Sequence, residues 1–395
     1  MQISPNPYKP GAGTPPLYLA GRRSDMDDAK VILASIAAGL PMRSVIYYGL
    51  RGVGKTVLLN KIEEEAKDLD IPAEFMEIEE KDGAFHRSVA FYVHKLIQRM
   101  SVKEKLSGYV RQALSILKAF SIKYSAQDIS IEVQPANGIS DTGDLQNDMT
   151  ELFLALGKIA EKNERGAALF IDEIQNIDPS EFSALMAAMH RVNQKGYPLI
   201  IFAAGLPKVA KLAGDTKSYA ERLFQFKEIG HLSDEEAAKA LTEPARRFKV
   251  SYEDKAVQKV ITETEGYPYF VQEYGKVVWD LNGGALTITA QTTDEAKPDF
   301  ERNLDESFFK VRHDRATHKE LCFLVAMAEC QERPCKISEV AERLHMELKS
   351  ISPLRAQLVS KGLIYPVDRG VIDFTVPHFD RFLRRHYPSG IEEEV

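Results

Sequence analysis

Residues 44–48 read SVIYY, an unbroken apolar and partly β-branched run, and IPAEFMEIE (71–79), AALFIDE (167–173) and PLIIFAAG (198–205) share that character. Continuous apolar runs of this length predict strands buried on both faces. Between them, apolar positions recur every three to four residues, which predicts helices over 25–40, 56–66, 85–100, 148–162 and 180–192. Strands alternating with helices predict an α/β fold: a parallel sheet with helices on both faces. Residues 101–147 interrupt the alternation. A helix is expected over 103–119, and FSIKY (120–124) and ISIEV (129–133), two alternating runs around SAQD, predict a hairpin.

After Glu228 the strand signal stops. Ser233 with Glu236 forms a capping box that opens a helix to Phe248, and further helices are expected over 253–265 and 269–281. Asn282-Gly283-Gly284 ends this all-helical stretch, and 285–300 reads as a linker. Residues 313–388 predict three helices and two short strands around the Gly turn of GLIYPVDRGVIDFTVP. The expected organisation is a domain over 1–230 with an insertion at 101–147, a helical lid over 231–284, a linker over 285–312 and a C-terminal domain over 313–388. Residues 1–20, rich in Pro and Gly, read as an extended arm.

Composition narrows the class. Of 395 residues, 44% are apolar and 28% charged, which excludes a largely disordered chain and a coiled-coil rod. The longest apolar run is eight residues, Leu199–Leu206, against the roughly 20 a membrane helix needs, so no membrane partner is expected. The N-terminus lacks a basic residue followed by an apolar core, and the three cysteines form no CxxC pair. These features predict a cytoplasmic location, with neither a disulfide framework nor a zinc site. The net charge of −7 argues against coating nucleic acid non-specifically, while a local basic face stays open.

The chemistry concentrates after the first strand. Gly49-Leu-Arg51-Gly52-Val53-Gly54-Lys55-Thr56 fits GxxxxGK[ST], the Walker A pattern, and the helix that follows begins with Thr56 and Val57. Glycines let backbone N–H groups turn inward around phosphates, Lys55 brings a point charge to the terminal phosphates, and Thr56 offers its hydroxyl to Mg²⁺. The helix points its positive end at the anion. The second motif, Ala168-Leu-Phe-Ile-Asp172-Glu173, is an apolar strand ending in two carboxylates, the Walker B pattern. That strand is expected beside the phosphate-loop strand, with Asp172 near Thr56 holding Mg²⁺ and Glu173 orienting a water for in-line attack.

These two motifs, with four further features, resemble AAA+ ATPases, and more narrowly the branch of the origin-recognition initiators and the STAND-type signalling ATPases. Gly21-Arg22 is similar to the element that lines the adenine pocket there. LIIFAAGLP stands in place of the sensor 1 strand, Ser218–Phe224 resembles the segment of the arginine finger, with Arg222 as the finger, and Gly266-Tyr267-Pro268 resembles the lid element that packs near base and sugar. The whole chain also resembles a group of bacterial ATP-binding proteins with a C-terminal winged helix. The resemblance implies ATP/ADP and Mg²⁺ as ligands and hydrolysis of ATP. As a finger, Arg222 reaches the nucleotide of a neighbouring copy in a homo-oligomer; as a plain surface residue it pairs with Glu221 or another nearby acid. Two departures imply a slow switch rather than a motor: the sensor 1 strand ends in Ala203-Ala204-Gly205, and the lid has no sensor 2 arginine at Tyr267-Pro268.

In the C-terminal domain, 337–344 and 353–361 give a helix-turn-helix pattern, with Ser352 as cap and Pro353 at the first helical position. Lys349, Ser350, Arg355 and Lys361 lie on or beside the second helix, and Arg369 at the hairpin tip. These residues are the candidate contacts to double-stranded DNA, with the helix in the major groove and the wing on the backbone. Residues 313–388 hold 12 basic and 10 acidic residues, a mild excess that equally suits docking on a protein partner. His190, His231 and His345 have no ligand-spaced partners, and Met186, Met189 and Trp279 are expected in cores.

Overall fold

The computed structural model describes residues 5–79, 84–101, 107–124, 131–136, 138–216 and 220–388. By their contacts, the described residues within 22–49 and 54–229 form one compact unit, and those within 1–21, 50–53 and 230–395 form another.

The first unit runs α1 (Arg23–Ala37), β1 (Ser44–Tyr48), α2 (Lys55–Asp68), β2 (Ala73–Glu77), α3 (Ala84–Met100), α4 (Ser107–Lys123), α5 (Leu145–Asn163), β3 (Ala167–Asp172), a 3-10 turn (Ile174–Asn176), α6 (Pro179–Gln194), β4 (Leu199–Gly205), α7 (Lys208–Thr216), α8 (Ala220–Leu223) and β5 (Phe224–Glu228). The strands form one parallel sheet in the order β2-β3-β4-β1-β5. Every residue of β3 and β4 is buried, because helices cover both faces, and so neither run alternates. The register sets Phe170 opposite Phe202 and Phe202 opposite Val45. Leu152, Phe153 and Leu156 of α5 share a core with Phe182, Leu185, Met186 and Met189 of α6, each helix burying the stripe its spacing predicts.

Three expectations change. The acidic strand β3 does not lie beside β1; β4 pairs with both and separates them. Strand β5, absent from the expectation, adds the fifth strand. It lies at the sheet edge, where three of its five residues are only partly buried, so its apolar signal is diluted. The expected hairpin is not formed at FSIKY, which ends α4. There Phe120 and Tyr124 meet one helical turn apart, ring centroids 4.6 Å, while Ile122, which a strand would bury with them, is 61% exposed. All of the intervening SAQD and the first two residues of ISIEV lie outside the described residues, and 131–136 form no strand.

The loop before α5 is gathered by one carboxylate. Asp148 is fully buried and accepts from Thr142 N (3.0 Å), Thr142 Oγ1 (2.7 Å), Gly143 N (3.1 Å) and the Tyr124 hydroxyl (2.7 Å). Burial pushes this carboxyl up, and the donated hydrogen bonds outweigh it, leaving it below the usual carboxylate range.

The second unit runs α9 (Asp234–Arg246), β6 (Ser251–Tyr252), α10 (Asp254–Thr264), α11 (Pro268–Leu281), β7 (Thr287–Ile288), α12 (Ala290–Asn303), a π-helical turn (Leu304–Phe309), α13 (Lys310–His313), α14 (His318–Ala328), β8 (Cys335–Lys336), α15 (Ile337–Arg343), α16 (Leu348–Ser360), β9 (Ile364–Asp368), β10 (Val371–Phe374) and α17 (Phe379–His386). Strands β6 and β7 pair in parallel, and β8-β10-β9 form an antiparallel sheet. The segment expected as a linker is largely helical: α12 buries Thr293, Ala296 and Phe300, and Phe300 stacks on Tyr274 of α11 at 4.4 Å. Its polar composition hid this single narrow stripe. The N-terminal arm is anchored through Tyr8, whose ring meets Trp279 and whose hydroxyl bonds Leu241 O and Tyr252. The capping box is half made. Ser233 accepts from Glu236 N, but the Glu236 carboxylate accepts from Gly21 N at 2.8 Å. Helix α16 begins at Leu348 rather than at Pro353, and Ser352 donates to Leu348 O (2.9 Å) instead of capping. Pro353 is tolerated mid-helix because it lies on the exposed side, where water solvates the carbonyl its missing N–H leaves over.

Gly166, between α5 and β3, has φ +64°, and a Cβ there would stand 2.7 Å from both Ile36 O and Pro198 O. Gly166→Ala is therefore expected to destabilise the first unit by about 3 kcal/mol. Urea unfolding of the two forms measures the difference.

Candidate functional site

Where β1 ends, Gly49 donates its N–H to Gly205 O at the end of β4 (3.1 Å). The chain then turns through Gly52 (φ +82°) and Gly54 (φ +90°), conformations that side chains disfavour. Gly54 is the N-cap of α2, and no side chain caps that helix. Its first N–H groups therefore face outward with their positive partial charge. Space around Gly54 is open: apart from its two chain neighbours, no atom among the described residues lies within 4 Å of where a Cβ would stand. Lys55 is buried, its ammonium donating to Gly49 O at 3.0 Å, and Val57 is buried in the first turn of α2.

The two sequence motifs meet here. The Thr56 hydroxyl donates to Asp172 Oδ2 at 2.7 Å, across 116 residues of chain. Asp172 Oδ1 accepts from Glu173 N (2.9 Å). Burial is the main influence on Asp172 and raises its pKa above 3.8, against the opposing pull of those two donors. Glu173 takes a left-handed conformation (φ +53°), and its carboxylate accepts from Gln175 Nε2.

The remaining nucleotide candidates lie in the second unit, except Arg22, which is buried at the N-cap of α1 in the first. Gly21 has φ +63° and is held by Glu236. Val53 is buried, and Pro268 occupies the first turn of α11. Tyr267 is fully buried with its hydroxyl unpartnered among the described residues, 3.3 Å from where a Cβ on Gly52 would be. Arg312 carries no motif that sequence reasoning could single out. Its guanidinium lies 4.2 Å from the Phe308 ring centroid and donates to Phe308 O. Burial, then the charge of Arg51, pushes its pKa down to about 10. Among the described residues no carboxylate pairs with Arg51 or Arg312, an arrangement that favours an anion.

Arg222 lies exposed on α8; the side chain of Glu221, its alternative partner, is outside the described residues. Of the DNA candidates, Lys349, Ser350 and Arg369 are exposed. Lys361 is committed to buried Glu320 (2.6 Å) and Arg315 O (3.0 Å), and Arg355 is half-buried with its Nε unpartnered among the described residues.

Residues 18–202 match the AAA ATPase domain family, and residues 306–383 match a domain of unknown function, DUF8462. No curated protein matches the chain. Among solved structures, the chain is similar to a Walker-type ATPase of Pyrococcus abyssi (14% identity over 93% of this chain and 99% of that one, TM-score 0.56). It also matches Aeropyrum pernix ORC1 in complex with DNA (16%, 94% of each chain, TM-score 0.46). A third match is the Thermotoga maritima RuvB Holliday junction branch migration motor (17%, 94% and 96%, TM-score 0.45). At 14% identity the likeness to the Pyrococcus abyssi protein is one of fold. Residues 18–202 are thus similar to an AAA ATPase domain, and the sheet of the first unit is parallel with helices on both faces.

The residues present fit a magnesium nucleotide. A hydroxyl and a carboxylate converging within 2.7 Å are hard oxygen donors, and Mg²⁺ in such sites takes only one or two protein carboxylates beside phosphate and water. Among the described residues no cluster of three or more His, Cys, Asp or Glu could hold a metal by itself. Among the same residues no helix is long and apolar enough to cross a membrane.

Because the folded-state pKa of Asp172 lies above its unfolded value, its contribution to stability is complete below about pH 3.8 and is lost as pH rises through the raised value. Asp172→Asn is expected to remove that loss, so the metal-free variant unfolds at a higher temperature than wild type near neutral pH. The same variant is expected to lose about tenfold or more in Mg²⁺-dependent nucleotide affinity. Thermal unfolding across pH 4–8 and nucleotide titration with and without Mg²⁺ read the two effects.

Proposed function

We propose that this chain is a switch driven by Mg-ATP: it binds ATP, hydrolyses it slowly to ADP and phosphate, and signals its state through a C-terminal winged helix that associates with DNA. The observation that carries the reading is the Thr56–Asp172 hydrogen bond beside the open N-terminus of α2. Here Lys55 binds the terminal phosphates, leaving Gly49 O to do so. Thr56 and Asp172 hold the metal. Magnesium, when bound, supplies charge that offsets the negative charge of the phosphates. Glu173 orients the attacking water and takes its proton. Arg222, exposed, serves a neighbouring copy.

Slow turnover follows from what the strand end lacks. β4 closes on Ala203-Ala204-Gly205, with no hydroxyl or amide side chain to hold the water or the phosphate. For the C-terminal part, α15, α16 and the β9–β10 hairpin supply a helix-turn-helix with a wing, and Lys349, Ser350 and Arg369 are exposed upon it. A second reading, docking on a protein partner as in STAND-type ATPases, draws on the same module. Lys361 is already paired, and Met346 (39%), Leu348 (50%) and Val367 (46%) are exposed apolar residues at the start of α16 and in the wing.

Lys55→Ala is expected to weaken ATP binding by about 10- to 100-fold. Glu173→Gln should keep the affinity and lower phosphate release by about 100-fold. Calorimetry and a phosphate-release assay separate these outcomes, and affinity unchanged in Lys55→Ala would overturn the reading. For the DNA arm, a gel shift at low salt is expected with ATP and is expected to vanish in the Lys349→Glu/Arg369→Glu double variant. Absence of any shift in wild type leaves the protein-docking reading in its place.

A further inference from the structure

Gln175 is 95% buried, one residue into the 3-10 turn after the acidic strand, and both ends of its amide are engaged. Its Oε1 accepts from Leu206 N at 2.9 Å, just past the end of β4. A backbone N–H only donates, so this contact fixes which end of the amide is oxygen. Nε2 is thereby turned toward Glu173, to whose Oε2 it donates. The nearest alternative acceptor, Asn176 Oδ1, stands off at 3.5 Å, and Asn176 is itself anchored by donating to Ile78 O (2.8 Å). The space at the strand end is cut to fit the amide. A Cβ on Gly205 would stand 2.9 Å from Gln175 Oε1 and 2.8 Å from Ile174 Cγ2.

We propose that Gln175 is a positioning residue that acts as a brake: its amide holds the Glu173 carboxylate back on the 174–176 turn, and turnover requires that hydrogen bond to open. The amide cannot leave Glu173 freely, because rotating it strands the buried Leu206 N–H. Release is therefore coupled to the backbone after β4, so that movement at Leu206 frees Glu173. The brake gives a second, local cause for the slow hydrolysis proposed above, and it rests on that reading.

The test uses the full chain. Gln175→Glu keeps an acceptor for Leu206 N and loses the donor to Glu173; Gln175→Met loses both and controls for packing. Phosphate release at pH 8.5, KM and ATP affinity by calorimetry are measured for wild type, each variant, and each variant combined with Glu173→Gln. The expected result is a rise in kcat of about tenfold, the release of one hydrogen bond to a charged group. KM and affinity stay unchanged, and no rise occurs in the Glu173→Gln background. A kcat that is unchanged or falls in Gln175→Glu, or that changes only together with ATP affinity, overturns the brake. Wild type that binds no ATP overturns the nucleotide reading itself, and the brake with it; wild type that binds ATP without measurable turnover, with turnover appearing in Gln175→Glu, supports both.

Discussion

The hydrogen bond from Thr56 to Asp172 is the joint on which the candidate site depends. It links the first turn of α2 to the end of β3, two elements whose strands are not neighbours. β4 lies between them, and a site that spans its end favours small residues there. Ala203, Ala204 and Gly205 are such residues, and Gly205 also accepts the N–H of Gly49. One short strand thus sets the distance between a hydroxyl and a carboxylate that are far apart in sequence. Desolvation raises the pKa of Asp172 in this setting, and a bound cation relieves that unfavourable burial.

Much of the first unit was legible in the sequence, because strands buried on both faces and helices with wide apolar stripes leave unmistakable periods. The four strands expected of the parallel sheet all form. What failed lies where the period is weak or ambiguous. FSIKY satisfies both a two-residue and a four-residue period, and the Phe120–Tyr124 contact resolves it as helix. β5 is an edge strand with mixed burial, and α12 buries too few side chains to announce itself. Ser352-Pro353 imitates a helix start, yet the helix begins earlier because Ile351 must reach the core, where it is fully buried.

The site was legible to the extent that its chemistry is carried by contiguous motifs. Glycines of positive φ, Lys55, Thr56 and the Asp172-Glu173 pair stand in fixed order, and the fold need only bring two segments together. Gln175 and Arg312 had no such signature. An amide two residues beyond a carboxylate is common in any loop, and its meaning arises only from Leu206, which sequence spacing does not place beside it. Arg312 likewise stands out only through what surrounds it: a ring face, a second guanidinium and, among the described residues, no acid.

At Asp148, three donors from the loop before α5 and the hydroxyl of Tyr124, just past α4, converge on a single carboxylate, so that loop is tied by one ionisable group. Its lowered pKa means that this support is whole above about pH 3.8 and fails as acid titrates the folded-state group. Acidification should therefore loosen this corner while the buried apolar runs of β3 and β4 still hold, giving the domain an acid-labile loop on a more acid-resistant frame.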